Sequence, residues 1–185
     1  STANIPANNF RLILSSLQQG SNQAQNQTNP GKQASCPCPI SALGNGEFSH
    51  EFSGLSVHGE HVILASKDRT AKLLNIRSGT LGRSFRGHTD HVYSCIFSAT
   101  GQHILTTSKD KKAVLWDAQS GARLRSFTGH TNSVYSGAIS PDGKRILTAS
   151  DDSTAKLWDA DSGALLRTFN GHTGWMRSCA FSPDG

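Results

Sequence analysis

A period of 42 residues governs the C-terminal part of this chain. Gly87-His88, Gly129-His130 and Gly171-His172 are each 42 residues apart. Trp116-Asp117 and Trp158-Asp159 keep that spacing, and Ser140-Pro141-Asp142-Gly143 returns as Ser182-Pro183-Asp184-Gly185. The units 88–129 and 130–171 agree at roughly 24 of 42 positions with no insertion. Self-similarity at this period means that one supersecondary unit is repeated and must stack on its neighbours to bury its faces. The preceding unit is in register as well. Ser66, Asp68, Ala71, Ser78, Gly79, Phe85 and Gly87 align with Ser108, Asp110, Ala113, Ser120, Gly121, Phe127 and Gly129. Its landmarks are degenerate, with Asn45-Gly46 in the Gly-His place and Leu74-Asn75 in the Trp-Asp place.

Each unit reads as four short strands. In unit 130–171, Ser133 to Ile139 alternates and ends at Pro141-Asp142-Gly143. Arg145 to Ser150, Thr154 to Asp159 and Ala164 to Phe169 follow, separated by Asp151-Asp152-Ser153 and Asp161-Ser162-Gly163. Short strands with turn residues every 8–12 positions predict an all-β radial array. Composition agrees: 35% hydrophobic and 17% charged residues are unlike a wholly disordered chain. No run of 18 apolar residues predicts a membrane span, and no secretory signal is seen. The net charge of +5 is not gathered into a Lys/Arg cluster, so nucleic acid is not the expected partner.

These repeats resemble the WD40 family over residues 47–185, most firmly over 78–185. The resemblance implies a fold of β-propeller blades, about three full four-stranded blades plus the first strand of another, as an open arc or part of a larger closed propeller. The units are 46–87 (degenerate), 88–129, 130–171 and 172–185 (truncated). It also implies a role for the polar landmarks. His130, Ser150 and Asp152 look like a hydrolase triad, but His88, Ser108 and Asp110 repeat the set, and no enzyme needs a triad in every blade. In the family they form a relay: Asp accepts from His, His meets the Ser hydroxyl, and Ser meets the Trp indole. His88, Ser108, Asp110 and Trp116 would hold one blade together; His130, Ser150, Asp152 and Trp158 would hold the next. The first unit keeps Ser66 and Asp68 but has Gly46 and Leu74, so its relay should be absent and its blade should open most easily.

The family's partner-binding rim carries over by spacing to His91, Tyr93 and Lys109, to Ser133, Tyr135 and Asp151, to Trp175 and Arg177, and to Lys67. Tyr, Trp and Arg are residue types enriched in binding hot spots. The resemblance thus implies a non-catalytic scaffold or adaptor that binds other proteins within a larger assembly, with no cofactor and no metal. A substrate receptor of a cullin-type ubiquitin ligase is one alternative. Its Trp-Asp-x-Arg motif is broken here: Gln119 and Asp161 replace the Arg, and Arg77 follows Leu74-Asn75. An RNA- or chromatin-associated subunit is another, on the strength of Lys67, Lys109 and Arg177. The expected location is the cytoplasm, with nucleus, cilium or centriole as alternatives.

The remaining features carry less chemistry. Residues 1–45 read as a tail, with a short helix over 10–19 (Phe10, Ile13, Leu14 and Leu17 on one face) and then an Asn/Gln/Ser-rich linker. Cys36 and Cys38 make half a zinc site at most. Cys95 and Cys179 read as inner-strand core. Asn26-Gln27-Thr28 reads as a chance match to a glycosylation acceptor. The chain starts at Ser1, and three blades and a fraction fall short of the roughly 4–8 that close a propeller. The expectation is a piece of a longer protein, or copies that associate to complete a ring.

Overall fold

The computed structural model describes residues 52–185. The expected tail, the 10–19 helix, Cys36, Cys38, Asn26 and the start of the first unit lie outside the described residues. Twelve strands run in chain order: β1 Phe52–His58, β2 His61–Ser66, β3 Thr70–Asn75, β4 Leu81–Arg86, β5 Val92–Phe97, β6 His103–Ser108, β7 Lys112–Asp117, β8 Arg123–Thr128, β9 Val134–Ile139, β10 Arg145–Ser150, β11 Ala155–Asp159 and β12 Leu165–Phe169. They form three antiparallel four-stranded sheets, each in sequence order (β1–β4, β5–β8 and β9–β12). Each sheet is one blade, and the three stand in an open arc. Among the described residues there is no helix, and none long and apolar enough to cross a membrane.

The inner strands β1, β5 and β9 adjoin one another, and each later one also touches the second strand of the preceding blade. The β1 and β5 backbones come close at Gly54, where a Cβ would lie 3.1 Å from both the Ser94 Cα and the Tyr93 carbonyl oxygen. The cores therefore lie between blades rather than within them. Ile63, Ala65, Ala71 and Phe85 of the first blade pack with Val92, Cys95, Phe97, Ile104, Val114 and Trp116 of the second. Leu105, Ala113, Leu115 and Phe127 of the second pack with Ile139, Ile146, Trp158 and Ala160 of the third. This explains the patterning of the second strands. Five consecutive residues are buried in both β2 and β6, each a second strand flanked by its own inner strand and packed against the inner strand of the following blade. Each fully buried Phe contributes about 1.5–3 kcal/mol, and Phe85 and Phe127 each meet the Trp of the following blade at 5.7–5.8 Å between ring centroids.

Residues 170–185 contain no strand. They are nonetheless seated as a further inner strand would be. The Met176 amide donates to the Ser150 carbonyl, and the Cys179 thiol meets Ser136 and the Leu147 carbonyl. Cys95 stands in the same relation to the Ile63 carbonyl two periods earlier. The expected first strand of another blade thus occupies its place without a ladder. The strand it would pair with, 42 residues beyond β10, is not in this sequence.

Candidate interaction surface

The repeated polar residues build an internal framework before they build any surface. In the second blade His88 Nδ1 lies 2.8 Å from Asp110 Oδ2, and Nε2 lies 2.8 Å from Thr106 Oγ1. The Trp116 indole N–H donates to that same oxygen at 2.8 Å. The third blade repeats the set: His130 meets Asp152 and Thr148, each at 2.8 Å, and Trp158 donates to Thr148 at 2.9 Å. An indole can only donate. The Thr148 oxygen therefore accepts from Trp158; with a neutral imidazole whose Nδ1–H donates to the Asp152 carboxylate, Nε2 is an acceptor and takes the Thr148 hydrogen at 2.8 Å in preference to the Lys156 carbonyl at 3.4 Å. This direction needs a neutral imidazole. Burial lowers the His130 pKa and outweighs the opposing pull of Asp152. At Asp152, burial pushes the carboxyl up, but hydrogen bonds from Thr154, the Thr131 amide and His130 prevail and hold it at about 2.

The relay hydroxyl is therefore a threonine, and the expectation placing Ser108 and Ser150 in it is corrected. Strand register gives the reason. Trp116 pairs with Ile104 across β6–β7, so Thr106 is two residues along on the same face and Ser108 is four. Four residues of strand span about 13 Å, beyond the reach of an indole. The serines hold turns instead. Ser108 donates to the Asp90 carbonyl and accepts from the Asp110 amide; Ser150 does the same with Asn132 and Asp152. Both are fully buried, so neither presents a nucleophile to a substrate.

The sequence held a signal for this assignment. The first unit lacks the His and Trp, keeps Ser66, and has Leu64 where the Thr belongs. Leu64 and Leu74 are both buried there, an apolar pair in the place of the network. Ser66 and Asp68 keep the turn role: the Asp68 amide donates to Ser66, and Asp68 accepts from the Thr70 amide and hydroxyl.

The rim residues gather at one end of the blades. The Lys109 amide donates to the His91 carbonyl and the Asp151 amide to Ser133, which ties each turn after a second strand to the start of the inner strand. Equal offsets from the Gly-His pairs put Tyr93, Tyr135 and Arg177 on neighbouring inner segments, and they stack. The Tyr93 and Tyr135 rings lie 4.4 Å apart and 11° from parallel. The Arg177 guanidinium sits 3.9 Å above the Tyr135 ring and 4.7 Å from the Trp175 ring. Trp175 ends this ladder with 67% of its surface exposed. Burial, followed by the neighbouring Tyr135, pushes the Tyr93 phenol up to about 12.

The other expected rim positions stay outside the ladder. Lys67 and Lys109 are exposed, and His91 is half-buried. Asp90 lies 3.7 Å from Lys109 and 4.0 Å from His91. Asp151 keeps one carboxylate oxygen buried without a partner among the described residues. Ser133 is buried, with its amide donating to Asn132 and its carbonyl accepting from Asp151, so it offers a partner little surface. Arg77, the remnant of the ligase-type motif, pairs with Glu60 at 2.6 Å.

Burial raises the thiol pKa of Cys95, and that of Cys179 to about 11, so neither is poised as a nucleophile. Among the described residues no group of three or more His, Cys, Asp or Glu could hold a metal ion.

Repeated four-stranded blades, two of them each held internally by a His–Thr–Trp–Asp network, define a propeller-type repeat protein. The family model described as "WD domain, G-beta repeat" matches residues 79–117, 121–159 and 163–185. The chain belongs to the WD40 repeat family, whose repeats are generally protein-interaction scaffolds and typically non-catalytic. No curated protein matches the chain.

Proposed function

We propose that this chain is a non-catalytic interaction platform that binds partner proteins at the rim carrying Tyr93, Tyr135, Arg177 and Trp175, as one component of a larger assembly. The observation that supports this reading most is the stacked ladder. Three side chains from three successive inner segments, with Trp175 at the end, form one continuous aromatic and cationic surface. Large aromatic and Arg side chains held rigid before binding lose little entropy on association, which suits them as anchors. The polar residues that resemble a triad are spent inside the blades, which supports a binding rather than a catalytic role.

Crosslinking in cell extract, followed by identification of the captured proteins, tests the reading. Tyr93→Ala, Tyr135→Ala and Trp175→Ala should each reduce capture, with Trp175→Ala leaving the melting temperature unchanged because that ring is largely solvated. Unchanged capture by all three variants removes the rim from the function.

A further inference from the structure

The cations of the rim are unevenly distributed over its three turns. The turn between β2 and β3 reads Lys67-Asp68-Arg69, and that between β6 and β7 reads Lys109-Asp110-Lys111. The turn between β10 and β11 reads Asp151-Asp152-Ser153. In the first two turns the central acid is already engaged. Asp68 accepts from Thr70 and from Lys72 at 2.6 Å, and Asp110 is held by His88 and the Thr89 amide. The flanking cations Lys67, Arg69, Lys109 and Lys111 are all exposed. Among the described residues Lys67, Arg69 and Lys111 have no carboxylate within ion-pair distance, and Lys109 shares Asp90 with His91.

Two of these cations also sit where the backbone disfavours them. Arg69 and Lys111 have φ values of 72° and 71°, in the left-handed region that suits Gly or Asn. Ser153 holds the same position in the third blade with φ 65°, so the turn itself imposes the conformation. Long cationic side chains occupy it only where the rim is positive. A strained residue that is also solvent-exposed and unpaired motivates a functional reading.

We propose that the rim of the first two blades binds an acidic protein segment whose Asp and Glu side chains lie across Lys67, Arg69, Lys109 and Lys111. This rests on the rim being the binding surface, and it adds the chemistry of the partner. Asp151 bounds the cationic stretch at the third blade, so the acidic run ends there and gives way to apolar contact at Trp175. A single-stranded nucleic acid fits less well. Bases stack on free aromatic faces, and here the facing surfaces of Tyr93 and Tyr135 are spent on each other, with Arg177 over Tyr135.

Fluorescence anisotropy with three labelled octamers, of glutamate, lysine and uridylate, tests the proposal on the full chain. The glutamate octamer should bind at low salt, tighter than the uridylate octamer, with the lysine octamer weakest. The double variant Arg69→Gly/Lys111→Gly should weaken glutamate-octamer binding at least fivefold. Glycine accepts both φ values, so this variant should melt no lower than the parent, which separates lost binding from lost folding. Lys144→Glu, in the turn at the opposite end of the third blade, should change nothing. Tighter uridylate binding, or equal glutamate binding by the double variant, overturns the proposal. Capture from extract separates the two readings. Partners lost with Trp175→Ala but kept with Arg69→Gly/Lys111→Gly leave the rim in place and overturn the acidic partner. Partners kept by both variants overturn the rim and this proposal together.

Discussion

Thr148 satisfies two buried groups with one hydroxyl, accepting from Trp158 and donating to His130. Thr148→Val keeps the shape and removes the oxygen, leaving an indole N–H and an imidazole nitrogen unpaired in the core. The expected loss is about 2–6 kcal/mol, since each of the two orphaned buried groups costs roughly 1–3 kcal/mol. Ser150→Ala removes turn bonds only and should cost about 1 kcal/mol. Urea denaturation of the two variants distinguishes them, and a larger loss for Ser150→Ala would return the relay to the serine. The same network sets a pH dependence. The folded-state pKa of His130 lies below 6.5, so the unfolded chain takes up a proton first as pH falls. Stability from this group is full above pH 6.5 and is lost as pH drops toward the folded value. Asp152 is shifted from 3.8 to about 2, so its contribution is full above pH 3.8 and is lost as pH falls toward 2. Melting scans from pH 8 to 2.5 should fall in two stages, and His130→Gln should flatten the first. At this scale the sequence showed the partners His, Asp and Trp through their recurrence. The hydroxyl was harder to assign because Ser and Thr both recur; its sequence signal was that the first unit loses the Thr, not the Ser, together with the His and Trp, and strand register places the Thr beside the indole.

Strand positions were legible down to single residues. Arg145–Ser150 is the tenth strand with the bounds expected of it, and the others in that unit start one residue later than read. Repetition supplied that precision, because every turn residue was seen more than once. The contacts that lock one blade to the next were not legible, since they join residues about 36 positions apart with no shared motif. Arg83 donates to the Ser120 carbonyl and Arg125 to the Asp161 carbonyl, each reaching from an outer strand into the turn before the next outer strand. That turn is built by Asp117 or Asp159, which accepts from the amide and hydroxyl of the serine three residues on. Asn75 accepts from Ser78 in the same way, which explains how the degenerate unit keeps its hairpin without the Trp-Asp pair. The glycine ending the turn leaves room for the arginine: a Cβ on Gly163 would lie 2.9 Å from Arg125 Cδ, at φ 77°. Gly143 has a similar φ of 74° with nothing within 4 Å. Both Gly→Ala changes carry a backbone cost of about 1–2 kcal/mol, and Gly163→Ala should cost roughly 1 kcal/mol more because it displaces the arginine. In an Arg125→Ala background that excess should vanish while the Gly143→Ala cost stays, a coupling that thermal melts of the double-mutant cycle measure.

Across the whole molecule the same contact set is made twice and offered a third time. Phe85 and Phe127 are buried to 1% and 2% exposure under the Trp of the following blade, whereas Phe169 is 42% exposed. A Cβ on Gly129 would lie 3.2 Å from Trp158, while one on Gly171 would meet nothing within 4 Å. Arg167 is exposed at the position where Arg83 and Arg125 each hold the next turn. The flank of the third blade is thus complementary to one more repeat of this kind. In a linear array, stability is a sum of unit terms and nearest-neighbour interface terms, so covering an open flank should add an interface like the two already present. A chain lengthened after Gly185 by a second copy of residues 144–171 supplies this in register: its second strand pairs with the seated segment 172–185, and its tryptophan covers Phe169. Burying the remaining surface of that ring, with the new ladder beside it, should add about 2 kcal/mol or more. The lengthened chain should therefore melt at a higher temperature than the parent. Replacing the added tryptophan by Ala should remove most of the gain, because the ladder alone leaves Phe169 in water. A gain that survives that replacement would mean that backbone pairing, rather than the contact between Phe and Trp of adjacent blades, holds neighbouring blades together.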